Sequence, residues 1–170
     1  MNLKIKLVLI VVTAALLAVL WRVVFPSEER RVMRMMESLA ERASKTKAES
    51  QLQGGLVAAS LAESFADGCT FRVPEVHFSH AVDRDRLKLA IVTVRRNAQD
   101  LRFSLEDPTV EVMDDAANYV ATLFVSDSAN ALGLGGRQDA RPVRIELVRE
   151  ETSGEWLIRS VRVDTRKMQQ

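Results

Sequence analysis

Two histidines, one cysteine and one tyrosine are the residue types in this chain best suited to chemistry, and their spacing decides what each could do. His77 and His80 stand three apart in VHFSH, with Asp83 and Asp85 just beyond. Two imidazoles with nearby carboxylates could begin a zinc site, and one alone could act as a base in a pocket. A closed structural zinc site wants four ligands, and no strict third-ligand pattern follows here, so the pair reads as loop residues. Cys69, the single cysteine, could be a nucleophile only if a cation or a helix N-terminus lowered its pKa. It is instead expected to follow the C-terminus of a helix, where the dipole disfavours a thiolate, so it reads as a small buried hydrophobe. GLGG at 133–136 has the look of a phosphate loop, but it leads into a strand rather than a helix N-terminus, and it reads as a turn. No set of residues for catalysis, for a metal or for a cofactor emerges from these spacings. If the domain holds a cavity, Phe65, Phe103, Tyr119, Trp156 and His77 are the residues expected to line it, although any core of this size also needs large apolar side chains.

The elements that must position these residues begin with a segment of a different kind. Ile5 to Phe25, IKLVLIVVTAALLAVLWRVVF, holds no acidic residue, and its charges, Lys6 and Arg22, lie near its ends. A helix of about 20 residues at ~1.5 Å each crosses a hydrocarbon core of about 30 Å. Residues 1–25 are therefore expected to be a single-pass anchor in the lipid bilayer. Neither a small-x-small cleavage site nor a lipoprotein cysteine follows it. The basic N-terminal tail resembles the start of a secretory signal, which places the following domain outside the cytoplasm. Counting the arginines after the span favours the opposite orientation.

Residues 26–170 suit one domain. All 23 acidic residues lie beyond Phe25, with all but three of the 24 basic ones, so this part is slightly acidic. Such a balance excludes a nucleic-acid binder that works by a concentrated basic surface. Pro26 breaks from the anchor, and Ser27 is placed to cap a helix running to Ser44, with Val32, Met36, Leu39, Ala40 and Ala43 on one stripe. The polar run Lys45–Gly55 reads as a linker ending in Gly54-Gly55. A second helix is expected from Leu56 to Asp67, ended by Gly68, with Phe65 on its apolar face. Cys69–Val73 reads as a short strand stopped by Pro74. A third helix, capped by Asp83, presents Leu87, Ala90, Ile91, Val94 and Ala98. From Leu101 the period becomes two: Leu101, Phe103 and Leu105, a bulge or bend at Asp107-Pro108, then Val110 and Val112. Tyr119–Val125, a strand through Val143, Ile145 and Leu147, and Trp156–Asp164 complete four antiparallel strands. Helices gathered on one side of such a sheet make an α+β domain.

This order, with the helix opening PSEERRVMRMMESLAERAS, the passage SFADGCTFRV and the final hairpin ETSGEWLIRSVRVD, resembles the nuclear transport factor 2-like superfamily, which includes ketosteroid isomerase and polyketide cyclase relatives. The resemblance spans Ser27 to Arg166 and implies a cone: three helices packed on a curved antiparallel sheet around a pocket. More narrowly it resembles bacterial, membrane-anchored members; with the outward orientation read from the N-terminal tail, the expectation is an inner-membrane protein whose domain is periplasmic if the source has two membranes. The isomerase relatives use an aspartate base with tyrosine and a protonated acid as oxyanion donors. Here the only tyrosine, Tyr119, falls on a strand and no aspartate matches, so that catalytic set does not transfer. The expectation is a membrane-tethered binding or interaction domain. It would take a small apolar ligand into the cone, or present its sheet face to a second copy or a membrane-protein partner. The alternative is an acid–base enzyme working in the cone, with His77, His80 or Tyr119.

Overall fold

The computed structural model describes residues 27–45, 48–74, 77–98, 100–127 and 138–164. The expected anchor at 5–25 and the GLGG turn at 133–136 lie outside the described residues. Among the described residues, no helix is long and apolar enough to cross a membrane.

Helix α1 (Glu28–Ala43) forms where the sequence predicts it, and its 3.6-residue stripe buries Val32, Met36 and Leu39. Ser27 occupies the cap position but makes no side-chain cap bond; the first-turn carboxylate of Glu28 is drawn across to the sheet instead. Helix α2 (Gln51–Glu63) departs from expectation. It starts five residues before Leu56, because Ser50 and Gln53 close a reciprocal capping box, Gln53 N–H to Ser50 Oγ at 3.2 Å and Ser50 N–H to Gln53 Oε1 at 3.0 Å. Gly54-Gly55 thus lies inside the helix. A Cβ at Gly54 would stand 3.2 Å from the Glu49 carboxylate, whereas one at Gly55 would meet nothing within 4 Å. Gly55→Ala is therefore expected to stabilise the fold by about 0.5–1 kcal/mol through helix propensity. Gly54→Ala is expected to lose that gain to the crowded carboxylate. Chemical denaturation of the two variants side by side checks the contrast.

Because α2 stops at Glu63, Phe65 begins strand β1 (Phe65–Val73) rather than closing a helix. Gly68, at φ 72°, sits in the irregular stretch of β1 where its pairing shifts between Phe65 and Thr70, so it ends no helix. Strand β2 (Phe78–Val82), which the sequence reading leaves as loop, pairs antiparallel with β1. Helix α3 (Arg84–Asn97) follows, with Asp83 Oδ1 accepting from Arg86 N–H at 2.8 Å as expected.

Strands β3 (Leu101–Met113), β4 (Ala116–Asp127), β5 (Gln138–Arg149) and β6 (Trp156–Val163) run antiparallel in succession. The irregularity expected at Pro108 is present: register shifts between Glu106 and Thr109, and Asp107 takes φ 51°. The six strands lie in the order β2-β1-β6-β5-β4-β3, and β1 pairs parallel with β6. The sheet is therefore mixed rather than wholly antiparallel. An α+β domain of three helices on one sheet is otherwise as expected. Alternation along the strands sends Ala117, Tyr119 and Ala121 of β4 and Val143, Ile145 and Leu147 of β5 into the core beneath α1.

Candidate functional site: an apolar cavity inside the cone

Between the helices and the sheet lies a cavity of about 410 Å³. Its floor is sheet: Phe71 of β1, Leu123 of β4, Val143 and Ile145 of β5, Ile158 and Val161 of β6. Met36, Leu39 and Ala43 of α1 form one wall. The opposite wall is the α3 stripe Leu87, Ala90, Ile91 and Val94. Those α3 residues were expected to be buried, yet Leu87, Ile91 and Val94 are half-buried and Ala90 is exposed. They face a hollow instead of a packed partner, and Ala90 lines it from an exposed position.

Of the five residues expected to line a cavity, the structure brings two to it, Phe65 and Phe103. Tyr119 points inward but lies outside the lining, because at its level α1 fills the cone and Tyr119 joins Val32, Met36 and Leu39 in the core. Burial, with the Glu37 charge nearby, pushes its phenol up to about 12, so it stays protonated at neutral pH. Trp156 is buried at the edge of a separate hollow of about 470 Å³ beside Arg31 and Arg42. His77 is exposed at φ 52° in the β1–β2 turn, where the left-handed backbone carries it to the sheet edge and away from the cone. His80 is likewise exposed, on β2, with its ring 4.8 Å from that of Phe78. Among the described residues, no cluster of three His, Cys, Asp or Glu could hold a metal ion. Cys69 is fully buried in β1 rather than placed after a helix, and burial pushes its thiol up to about 11.

Among the described residues, the only ionisable group in the lining is Arg95, 5% exposed and missed by the sequence reading. Four of its five guanidinium N–H groups are engaged. Nε and Nη2 donate to the two Glu49 oxygens at 2.9 and 2.8 Å. Nη1 donates to the carbonyls of Arg42 and Ala43 at 3.1 and 2.8 Å, which are orphan acceptors at the end of α1. Lys45 Nζ closes the far side, donating to the Arg95 and Ala98 carbonyls at 2.7 and 2.6 Å. The Arg95 hydrogen bonds hold the Glu49 carboxyl below the ordinary glutamate value; burial opposes this, and the Arg95 and Lys45 charges assist. The node ties the end of α1, the start of α2 and the last turn of α3 together at the cavity wall. Lys45 also pairs with Leu101, which fixes α1 to the start of β3. Nothing in the sequence marks Arg95 as buried, since a basic residue in the last helical turn normally serves the helix dipole in water.

Known structures share this architecture. The Kfla4162 protein from Kribbella flavida is 14% identical, with a TM-score of 0.61 over 80% of this chain and 89% of that one. ActVI-ORFA from Streptomyces coelicolor is 18% identical, with a TM-score of 0.54 over 78% and 93%. Aln2 from another Streptomyces species is 21% identical, with a TM-score of 0.52 over 82% and 92%. At these identities the likeness shows the fold alone: an α+β cone of three helices on one sheet. No family model matches the chain, and no curated protein does.

Proposed function

We propose that this protein is a membrane-tethered binding domain that takes a small apolar ligand into its cone. The observation that carries the reading is the lining of the cavity: among the described residues it is aliphatic and aromatic apart from Arg95, whose guanidinium already holds Glu49 and two carbonyls. The volume falls within the roughly 300–1,000 Å³ of ligand pockets, and such a lining rewards hydrocarbon rather than charge. Proton transfer would need an acid or base facing the void, and the described residues of the lining supply neither a carboxylate nor an imidazole. The tether is read from residues 5–25, with the domain outside the cytoplasm. Confinement beside the bilayer raises the effective concentration of any ligand that partitions there.

Photolabelling of the full chain in lipid nanodiscs with a diazirine-bearing decanol tests this. Peptides carrying Phe71, Leu87 and Ile91 are expected to be labelled. Ala90→Trp, which adds a bulky ring to the lining at an exposed position, should cut that labelling by about tenfold, equivalent to roughly 1.4 kcal/mol of lost affinity. Labelling confined to residues 5–25, or unchanged by Ala90→Trp, would overturn the reading.

A further inference from the structure

Strand register places three arginines side by side on the outer face of the sheet, the face turned away from the helices. Arg72 of β1 stands opposite Arg162 of β6, and Arg162 stands opposite Arg144 of β5. All three are exposed, while their neighbours Val143 and Ile145 on β5 are buried, which sets the row on the outer side. Like charges directly opposite in a sheet destabilise it, so an unneutralised row of three is a cost without return unless something anionic covers it. Little in the chain neutralises it. Arg162 Nε reaches Asp164 Oδ1 at 3.1 Å, in a pair exposed to solvent. Among the described residues, Arg72 and Arg144 form no ion pair. Glu146, the nearest acid on the same face of β5, lies opposite Ser160 one row away. Ser79 and Val120 flank the row in register, Arg159 is exposed nearby on β6, and Arg166 and Lys167 follow β6 in the sequence.

We propose that this outer sheet face docks on the anionic phosphate headgroups of a bilayer, with Arg72, Arg162 and Arg144 as the phosphate-reading row. The proposal rests on the tether reading, which supplies the reason to choose lipid over any other polyanion. Only Pro26 and Ser27 separate the expected span from α1. Glu28, at the start of α1, is bonded to Trp156 at the start of β6, and Arg162 lies six residues further along that strand. At roughly 3.3 Å per residue the two points are about 20 Å apart. A domain pinned at one end of β6 can therefore lay the sheet along the surface and place the arginines on it. Guanidinium groups suit this use, because their planar forks bind phosphate oxygens two at a time.

The test uses the full chain in proteoliposomes, of phosphatidylcholine alone or with phosphatidylglycerol added. A fluorophore on Val120→Cys, at the end of the row, is quenched by a nitroxide on the lipid headgroup; Cys69 is buried and stays unlabelled. Quenching is expected to rise with phosphatidylglycerol and to fall with salt. It should drop by about fivefold in docked-to-free ratio for each arginine replaced in the series Arg144→Gln, Arg72→Gln, Arg162→Gln. Those positions are exposed, and removing like charges should leave the melting temperature equal or higher. Equal quenching in both lipid mixtures, or no change in the triple variant, overturns the proposal. So does energy transfer between labelled copies, which would assign the face to a dimer. Failure of the chain to co-float with the vesicles instead removes the tether itself.

Discussion

Arg95→Met is expected to lower the unfolding free energy by about 3–5 kcal/mol, the usual cost of breaking a buried ion pair by removing one partner. Three losses coincide. Glu49 keeps a charge at a site where its carboxylate is largely enclosed, and the Arg42 and Ala43 carbonyls at the end of α1 lose their donor. The third is the link between α1, α2 and α3. The double variant Arg95→Met, Glu49→Leu should recover much of the loss, since an apolar pair of similar volume leaves no charge behind. Chemical denaturation of the three proteins measures this, and equal stability of the single and double variants would contradict it.

Acid sharpens the same prediction. In the native protein the Glu49 pKa is lowered, so its contribution is present above the unfolded value, about 4.3, and is lost as pH falls through the lower folded value. Glu28 adds in the same direction. Burial works against its ionisation, but the Trp156 indole N–H and the Arg149 and Arg31 charges outweigh that. Without Arg95, the largest lowering influence on Glu49 is gone, and burial, which raises its pKa, is opposed only by the Lys45 charge. The stability gap between native protein and Arg95→Met should therefore narrow below about pH 4.

Trp156→Ala should cost a further large amount, about 3–5 kcal/mol. The indole is buried at the start of β6, and its Nε1 donates to Glu28 Oε2 at 3.1 Å. The Arg149 guanidinium lies over the ring, 4.9 Å from its centre, and also bonds Glu28. Arg149 Nε is buried without a hydrogen-bond partner among the described residues, so it gains nothing to offset its desolvation there. Trp156→Phe keeps the face and loses only the N–H, and should cost about 1 kcal/mol. A comparable loss in both variants would show that the hydrogen bond, rather than ring burial, pins the start of α1.

Much of the architecture is legible from pattern alone. Alternation along β3 to β6 shows which residues face inward, Pro108 marks the bulge, and Asp83 marks the start of α3. The exceptions have separate causes. Gly54-Gly55 reads as a break by propensity, but the capping box of Ser50 and Gln53 starts the helix ahead of it, and the Glu49 carboxylate occupies the space a side chain at residue 54 would need. Strand β2 is short and exposed, so it carries no burial pattern to detect.

The cavity shows where pattern ends. Periodicity identifies Leu87, Ala90, Ile91 and Val94 as an apolar face, because amphipathicity is a property of the residues themselves. Whether a face meets a packed neighbour or an empty space depends on the distance between elements, which no local spacing encodes. For the same reason the sequence could nominate Phe65, Phe103, Tyr119, Trp156 and His77 together, while the fold took Phe65 and Phe103 to the cavity and the rest elsewhere. The chain's own residues decided the helices, the strand faces and their order. Tertiary pairing alone decided that β1 runs parallel to β6, that Arg95 is buried against Glu49, and that three arginines distant in sequence stand in one row.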